Sequence, residues 1–266
     1  MPATLPRFWW SLLLGTLALA LTGCGAVAKR NDATLTQGNW SVTATSSNPS
    51  TGTFHVGGNL TQNGSTLSAT MYVFGSLCFD VSQPISLTGT INGKEATLAS
   101  TKINGQVISV AATATTDSAL NGTYTITGGC GSGDSGTVAA NAVPSISATW
   151  GGYLTGPGGS SVALSIQLAQ NAQASADGTF ALTGNLVYAG SSCSASGTIT
   201  SAFVAGSYIL LNANTVETNG SVGNVSYTKV LLDSSQSPQN MMGTYQVGSG
   251  LCAHDTQALT LSKVVK

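Results

Sequence analysis

Charged residues are scarce in this chain of 266 residues: there are eight Lys and Arg and nine Asp and Glu, together 6% of the sequence. Typical globular proteins carry about 25% charged residues. With so few basic residues and a net charge of −1, the chain has no basic stripe that could neutralise phosphates, and we exclude nucleic-acid binding. Ser, Thr, Asn, Gln and Gly fill the polar positions, so hydroxyls and amides solvate the surface.

Histidine is also rare. The sequence shows no helical periodicity. His55 stands alone on a strand-like segment, and His254 has Asp255 as its neighbour. No spacing gathers three metal ligands. The glycine-rich stretch 130–136 has a loose likeness to calcium-binding repeats, but its Asp134 stands one position late, the motif occurs once, and calcium needs six to eight oxygens. We therefore expect no metal and no cofactor. The hydrophobic fraction of 42% excludes a disordered chain.

The N-terminus carries an export pattern. An apolar run of 14 residues, 8–21, follows Arg7 and leads to Leu21-Thr22-Gly23-Cys24. At about 1.5 Å per residue it reaches about 21 Å, too short for a hydrocarbon core of about 30 Å. The pattern resembles the lipobox of bacterial lipoproteins.

That resemblance implies a signal peptide over residues 1–23 and an N-terminal Cys24 that carries acyl chains such as palmitate. Several acyl chains anchor a protein stably in a membrane. Gly25 follows Cys24 in place of the Asp of an inner-membrane retention signal, which implies the cell envelope's outer membrane. Residues 24–38 show no strand pattern and are predicted to form a flexible tether.

Short β-rich runs follow one another without helical segments between them. Asn-Gly pairs such as Asn63-Gly64, Asn92-Gly93 and Asn104-Gly105 separate several runs, and such pairs favour two-residue hairpin turns. The spacing predicts a meander. In the first half the predicted strands are 39–46, 53–62, 66–75, 84–92, 95–101, 106–116, 120–128 and 135–140.

The mature chain is internally duplicated, with landmarks repeated in the same order. The repeat predicts two units, 39–143 and 144–266. The paired landmarks are Trp40 with Trp150, Leu60-Thr61-Gln62-Asn63 with Leu168-Ala169-Gln170-Asn171, Asn104-Gly105 with Asn219-Gly220, Gly122-Thr123-Tyr124 with Gly243-Thr244-Tyr245, and Asp134 with Asp255.

Eight meandering strands remove their edges by closing, so we predict an all-β protein of two small barrels. The pattern resembles the lipocalin and avidin barrels, including a Trp on the first strand of each unit, Trp40 and Trp150. A β-sandwich is the alternative, but the Trp and Tyr positions of immunoglobulin domains are missing.

Four cysteines remain after the anchor, an even number in an exported protein, which predicts two disulfides. Three connectivities are open, and pairing within each unit keeps the two units equivalent. This pairing links Cys78 with Cys130 and Cys193 with Cys252. In a barrel it brings the loops 75–84 and 128–136 together over one opening.

Ser135 lies in a Gly-Asp-Ser-Gly stretch that resembles the nucleophile motif of chymotrypsin-like proteases. Such a serine needs a histidine base oriented by a carboxylate. Neither His55 nor His254 lies in that family's histidine motif, and the second unit has Ala-His-Asp-Thr at the equivalent place. We therefore expect no enzyme, with a hydrolase at Ser135 as the remote alternative.

Aromatic residues are the candidate ligand-binding residues. Tyr72 and Phe74 alternate with the core positions of their strand and are predicted to face outward near Phe79, with Tyr188 in the second unit. An exposed aromatic cluster at a barrel mouth would stack on a sugar or enclose an apolar ligand.

The predicted function is therefore a non-catalytic, lipid-anchored envelope protein that binds a small apolar ligand or a glycan, or mediates surface interaction. The alternative is a lipoprotein of the protease- or lysozyme-inhibitor or assembly type, which acts on an envelope protein through its loops. A hollow barrel favours small-molecule binding, whereas filled barrels with an exposed loop patch favour a protein partner.

Overall fold

The computed structural model describes residues 31–49, 52–79, 82–157, 159–235, 237 and 239–265. These residues form 16 strands and no helix. Accordingly, the described part of the chain offers no helix with the length and apolar character needed to span a bilayer. The predicted signal peptide and Cys24 lie outside the described residues.

The first eight strands form a closed antiparallel barrel in chain order, because each strand pairs with the next and β1 also pairs with β8. The strands are β1 Gly38–Ser46, β2 Thr53–Asn63, β3 Thr66–Phe74, β4 Ile85–Asn92, β5 Glu95–Ser100, β6 Val107–Thr116, β7 Ala119–Thr127 and β8 Ser135–Ala142.

The next eight strands close a second barrel in the same way, with β16 paired to β9. Two tandem barrels confirm the predicted fold class over the sandwich alternative. The strands are β9 Ala148–Thr155, β10 Ser161–Gln170, β11 Phe180–Ala189, β12 Ser194–Ala205, β13 Tyr208–Glu217, β14 Val222–Asp233, β15 Asn240–Ser249 and β16 Thr256–Lys263.

Period-two alternation builds each core. Along β7, Leu120, Tyr124 and Ile126 are buried while the residues between them are more exposed. Successive side chains of a strand point to opposite faces, so one set fills the barrel and the other faces outward. Hydroxyl and amide side chains dominate the outward set, which explains how a chain with 6% charge remains solvated.

Each barrel has two ends. We call the mouth the end formed by the loop between the first and second strands and every second loop thereafter. The base is the opposite end, where the chain enters the first strand. Both disulfides lie at the mouths and confirm the predicted pairing, with Cα–Cα distances of 5.5 Å for Cys78–Cys130 and 5.8 Å for Cys193–Cys252.

The base of each barrel is sealed by the residues that precede its first strand. In the first barrel, the Leu35 amide donates to Gln62 Oε1 at 2.8 Å, and the Trp40 indole donates to the carbonyl of Thr36 at 2.7 Å. Leu35 is only 3% exposed and joins the core.

The second barrel repeats this arrangement. The Ile146 amide donates to Gln170 Oε1 at 3.0 Å, and the Trp150 indole donates to the carbonyl of Ile146 at 3.0 Å. The two glutamines occupy matching places in the duplicated sequence. The tryptophan and glutamine landmarks are therefore the parts of a base seal.

The base seal corrects the predicted tether over residues 24–38. The Ala33 amide donates to the Gly93 carbonyl, and the Thr36 amide donates to the Asp117 carbonyl, both at 2.7 Å. Because the apolar Leu35 side chain gains a place in the core, the chain from Asp32 onward belongs to the first barrel. The earlier residues of the predicted tether lie almost wholly outside the described residues.

The base of the second barrel packs on the outer wall of the first. The turn between β12 and β13 begins at Gly206, whose amide donates to Asn39 Oδ1 at 2.6 Å and whose carbonyl accepts from Asn39 Nδ2 at 2.9 Å. Asn39 is 5% exposed. Gly57 permits this approach, because a Cβ there would overlap the carbonyl of Ala205.

We expect Asn39→Ala to lower the free energy of unfolding by about 2–3 kcal/mol, since it leaves a buried amide and a buried carbonyl of Gly206 without partners. Urea unfolding followed by circular dichroism measures this change. Asn121→Ala, at an exposed position of the same barrel, is the matched control and should change stability by less than about 0.5 kcal/mol. Equal effects from the two substitutions would contradict the role given to Asn39.

Candidate functional site

The interior of the first barrel is nearly filled. Its cavity measures about 70 Å³ and is lined by apolar side chains together with Tyr124. Small-molecule sites usually measure about 300–1,000 Å³. The barrel interior is therefore too small for the apolar ligand that a hollow barrel would hold.

A larger groove of about 470 Å³ lies at the mouth of the first barrel. We call it the mouth groove. Its polar lining comes from hydroxyl and amide side chains and from one carboxylate, and its floor includes the buried ring of Phe54. The lining residues are Ser47, Asn48, Phe54, Ser76, Leu77, Cys78, Ile126, Cys130, Gly131, Ser132, Gly133, Asp134 and Ser135.

The carboxylate of Asp134 is held in a fixed position in this groove. Its Oδ1 accepts from Ser46 Oγ at 2.5 Å, and its Oδ2 accepts from the Tyr124 hydroxyl at 2.8 Å. Burial and then the hydrogen bond to Asp134 raise the pKa of Tyr124 to about 12. The carboxylate thus remains hydrogen-bonded on both oxygens while still lining the groove.

The glycine-rich loop of the groove is tied to the opposite loop through Gln106, which is fully buried. Gln106 Nε2 donates to the Cys78 carbonyl at 2.6 Å, and Gln106 Oε1 accepts from the Gly131 amide at 3.1 Å. Together with the Cys78–Cys130 disulfide, these bonds fix both sides of the groove. The groove is therefore preformed.

The loop between the last two strands makes the same turn in both barrels, but different side-chain hydrogen bonds hold it in the second mouth. Gly133 and His254 occupy the equivalent left-handed position, with φ of 86° and 77°. At the corresponding loop of the second barrel, the 3% exposed Glu217 accepts from the Leu251 amide at 2.9 and 2.7 Å and from Ser221 Oγ at 3.1 Å. Through these bonds the Glu217 carboxylate holds the loop between β15 and β16 against the loop between β13 and β14.

The predicted aromatic cluster does not form at a barrel mouth, and this expectation is corrected. Tyr72 and Phe74 do face outward, but the second barrel covers them. Tyr72 stacks on Phe203 with centroids 6.3 Å apart, and Phe74 stacks on Tyr208 at 4.1 Å. The two rings therefore help to join the barrels.

Tyr72 also makes a polar contact across the same interface. Its hydroxyl donates to Asp177 Oδ2 at 3.1 Å. Burial and the Asp177 charge raise the pKa of Tyr72. For Asp177, burial by itself would raise the pKa, but hydrogen bonds from Thr179 and Tyr72 outweigh it and lower the pKa. The neutral phenol and ionised carboxylate are the forms that join the barrels.

The other two predicted ligand residues are interior. Phe79 is 6% exposed and belongs to the core of the first barrel. Tyr188 is inside the second barrel, where its hydroxyl lies 2.8 Å from the Tyr227 hydroxyl. Burial raises the pKa of both tyrosines, and their shared hydrogen bond satisfies two hydroxyls in an apolar core. The four predicted residues thus lie in three different places.

Ser135 lines the mouth groove, but the described residues place no histidine in hydrogen-bond contact with it. His55 Nδ1 lies 3.4 Å from Thr43 Oγ1 instead. Asp134, the neighbour in the Gly-Asp-Ser-Gly stretch, bonds to Ser46 and Tyr124. The geometry of a catalytic triad is therefore not assembled around this serine.

Within the described ranges, one grouping of potential metal ligands is present: Cys193, Cys252 and Asp255. Its two sulfurs are joined in a disulfide, so they cannot serve as thiolate ligands.

Sequence reasoning missed Asn48, Gln106 and Ser132 as mouth residues. It did mark Asp134 as a repeat landmark, because Asp255 follows the matching cysteine. This repeated aspartate was the feature of the sequence that could have located the mouth of each barrel. The loops that meet it come from distant parts of the chain, and their convergence depends on barrel closure.

Comparisons with known proteins give little beyond this geometry. No protein-family model and no curated protein matches the chain. It is similar to the Myxococcus xanthus hemagglutinin, crystallised with a3,a6-mannopentaose, at 14% identity over 85% of this chain and 99% of that one, with a TM-score of 0.20. It is also similar to kievitone hydratase from Nectria haematococca, at 8% identity over 86% and 89%, with a TM-score of 0.22. Likenesses this weak imply no activity.

The Tyr124–Asp134 contact predicts a loss of stability in alkali. The phenol has a pKa of about 12 in the folded protein and about 10 when unfolded, so the unfolded state releases its proton first. The stabilisation is complete below pH 10 and disappears as the pH rises towards 12. Tyr124→Phe should therefore be less stable than the wild type at pH 9, with the gap narrowing above pH 10 in urea unfolding. A constant gap up to pH 12 would contradict this.

Proposed function

We propose that the mouth groove of the first barrel binds glycans without catalysis. The observation that carries this proposal is the lining of the 470 Å³ groove: serines, an asparagine and a clamped carboxylate surround it, and none of its described lining residues is basic. Sugar hydroxyls each donate and accept hydrogen bonds, so they match a surface of hydroxyl, amide and carboxylate groups.

Rigidity supports the proposal. Asp134 is held by Ser46 and Tyr124, so its carboxylate needs little reorganisation to accept hydrogen bonds from a ligand. A preformed site loses less entropy on binding. Leu77, 93% exposed on the opposite loop, offers an apolar contact for the C–H face of a sugar ring.

The geometry favours binding over hydrolysis, because Ser135 has no histidine partner among the described residues. Among non-catalytic functions, the small interior cavity disfavours an apolar ligand inside the first barrel. A protein partner is the second candidate. Leu77 and Leu251, the latter 52% exposed, project from the two mouths, and such apolar loop residues suit an inhibitor or assembly protein.

We also propose that Cys24 anchors the protein to the outer membrane of the cell envelope. The lipobox pattern at Leu21-Thr22-Gly23-Cys24 supports this proposal. Within the described chain, Asp32 lies at the base of the first barrel, opposite the mouth groove. An anchor at the N-terminus would thus be attached on the side of the base, and the mouth groove at the opposite end would stay accessible.

A bulky side chain in the mouth groove should abolish glycan binding. Ser132→Trp fills the exposed loop at the groove, whereas Ala253→Trp, at the equivalent exposed position of the second mouth, is the matched control. On an array of mannose-, galactose-, glucose- and N-acetylglucosamine-terminated glycans, wild type and Ala253→Trp should bind the same glycans, and Ser132→Trp none. Calorimetry with a bound glycan should give one site per chain.

Asp134→Asn should weaken that affinity about tenfold, or about 1.4 kcal/mol, because it removes a charged acceptor, while Asp255→Asn should not. Circular dichroism checks that each variant is folded. A wild type that binds no glycan, or equal losses at the two mouths, would overturn the proposal.

Cys24→Ser should release the protein from membranes, because no acyl chain can then be attached. Fractionation of cell envelopes measures the release, and mass spectrometry of the wild type should show an acylated N-terminal Cys24. A substituted protein that stays in the membrane fraction would contradict the anchor.

A further inference from the structure

A cleft of about 310 Å³ lies where the base of the second barrel meets the wall of the first. We call it the interbarrel cleft. It is separate from the mouth groove, because its lining comes from strands and from the turn between β12 and β13, and not from the disulfide-linked loops. Its volume reaches the lower end of the range for small-molecule sites.

Two rows of cross-strand neighbours form its walls. On the first barrel, Thr43 pairs with His55 and His55 pairs with Phe74, across β1, β2 and β3. On the second barrel, Tyr208 pairs with Leu231 and Leu231 pairs with Met242, across β13, β14 and β15.

The rows meet at the stack of Phe74 on Tyr208, whose planes are 16° apart. Both rings of the stack belong to the lining of the cleft.

The two walls differ in chemistry. Leu231 is 45% exposed and Met242 is 55% exposed, so the second-barrel wall exposes an apolar pair, with Asp233 also in the lining. Leu231 and Met242 are cross-strand partners, so together they present a small apolar patch to the cleft. Methionine adapts its shape to different ligands.

The opposite wall supplies hydrogen-bonding groups. His55 is exposed, and its Nδ1 lies 3.4 Å from Thr43 Oγ1, which leaves Nε2 as the ring nitrogen for a ligand. The rings of Phe74 and Tyr208 stack on each other, so one face of each ring is turned to the other ring.

We propose that the interbarrel cleft binds a small amphipathic molecule, with an apolar ring against Leu231 and Met242 and a polar group towards His55. Burying an apolar ring against both side chains supplies the affinity, and the imidazole fixes the orientation. The proposal does not depend on glycan binding at the mouth groove.

The test uses N-phenyl-1-naphthylamine, a neutral probe whose fluorescence increases in apolar surroundings. The full chain carries Cys24→Ser in every sample, so that no acyl chain competes for the probe. We expect saturable binding of one probe per chain. Met242→Lys should weaken it at least tenfold, and Leu231→Ser and His55→Ala should each weaken it several-fold.

Two matched controls replace exposed valines of the second barrel, which lie outside the cleft, with lysine. Val222 is 70% exposed and lies outside the cleft, and Val187 is 57% exposed beside a separate outer groove of about 520 Å³. Val222→Lys and Val187→Lys should bind the probe as the parent chain does, and so should Ser132→Trp.

The proposal is overturned if the parent chain shows no saturable binding, or if Val187→Lys weakens binding while Met242→Lys does not. Thermal unfolding shows which variants fold, and if Met242→Lys does not fold, Leu231→Ser and His55→Ala decide the outcome. Loss of glycan binding in Ser132→Trp with unchanged probe binding separates this cleft from the mouth groove.

Discussion

Two buried hydrogen bonds between Asn39 and Gly206 hold the base of the second barrel against the wall of the first. A turn tip in the left-handed conformation exposes an amide and a carbonyl, and both are buried here against the first barrel. Burying them without partners would cost several kcal/mol, so the amide side chain of Asn39 makes this contact feasible. The aromatic stack and the interbarrel cleft follow, because they form where the same two surfaces meet.

The same device occurs at the base of the first barrel. Gly93, at the equivalent turn, donates its amide to Asp32 Oδ1 at 2.7 Å and accepts from the Ala33 amide. The segment before β1 thus satisfies the turn at the base of the first barrel, just as Asn39 satisfies the turn at the base of the second. Each base is covered by the preceding part of the chain, and both disulfides lie at the opposite ends, which leaves the mouths as the ends where loops can diverge.

The strands and disulfides were predictable because they depend on local pattern and on the repeat. Predicted strands such as 53–62 and 106–116 differ from β2 and β6 by one residue at one end, since alternation and Asn-Gly turns define them. Tyr72 and Phe74 were read correctly as outward-facing, but a strand's period does not reveal that a second barrel covers that face. Leu35 was not predicted as a core residue, because a single apolar residue in a polar segment shows no hydrophobic periodicity.

The two barrels share one strand order but differ at their mouths. In the first barrel, the neutral Gln106 donates to one loop and accepts from the other, and a glycine-rich loop leaves room beside Asp134. In the second, Glu217 can only accept when ionised, so it binds amide and hydroxyl donors and holds Leu251 close. The mouths thus differ in the side chain that ties their loops together, while the strands below them keep the same order. The duplicated fold keeps its seals at the base and varies its chemistry at the mouth.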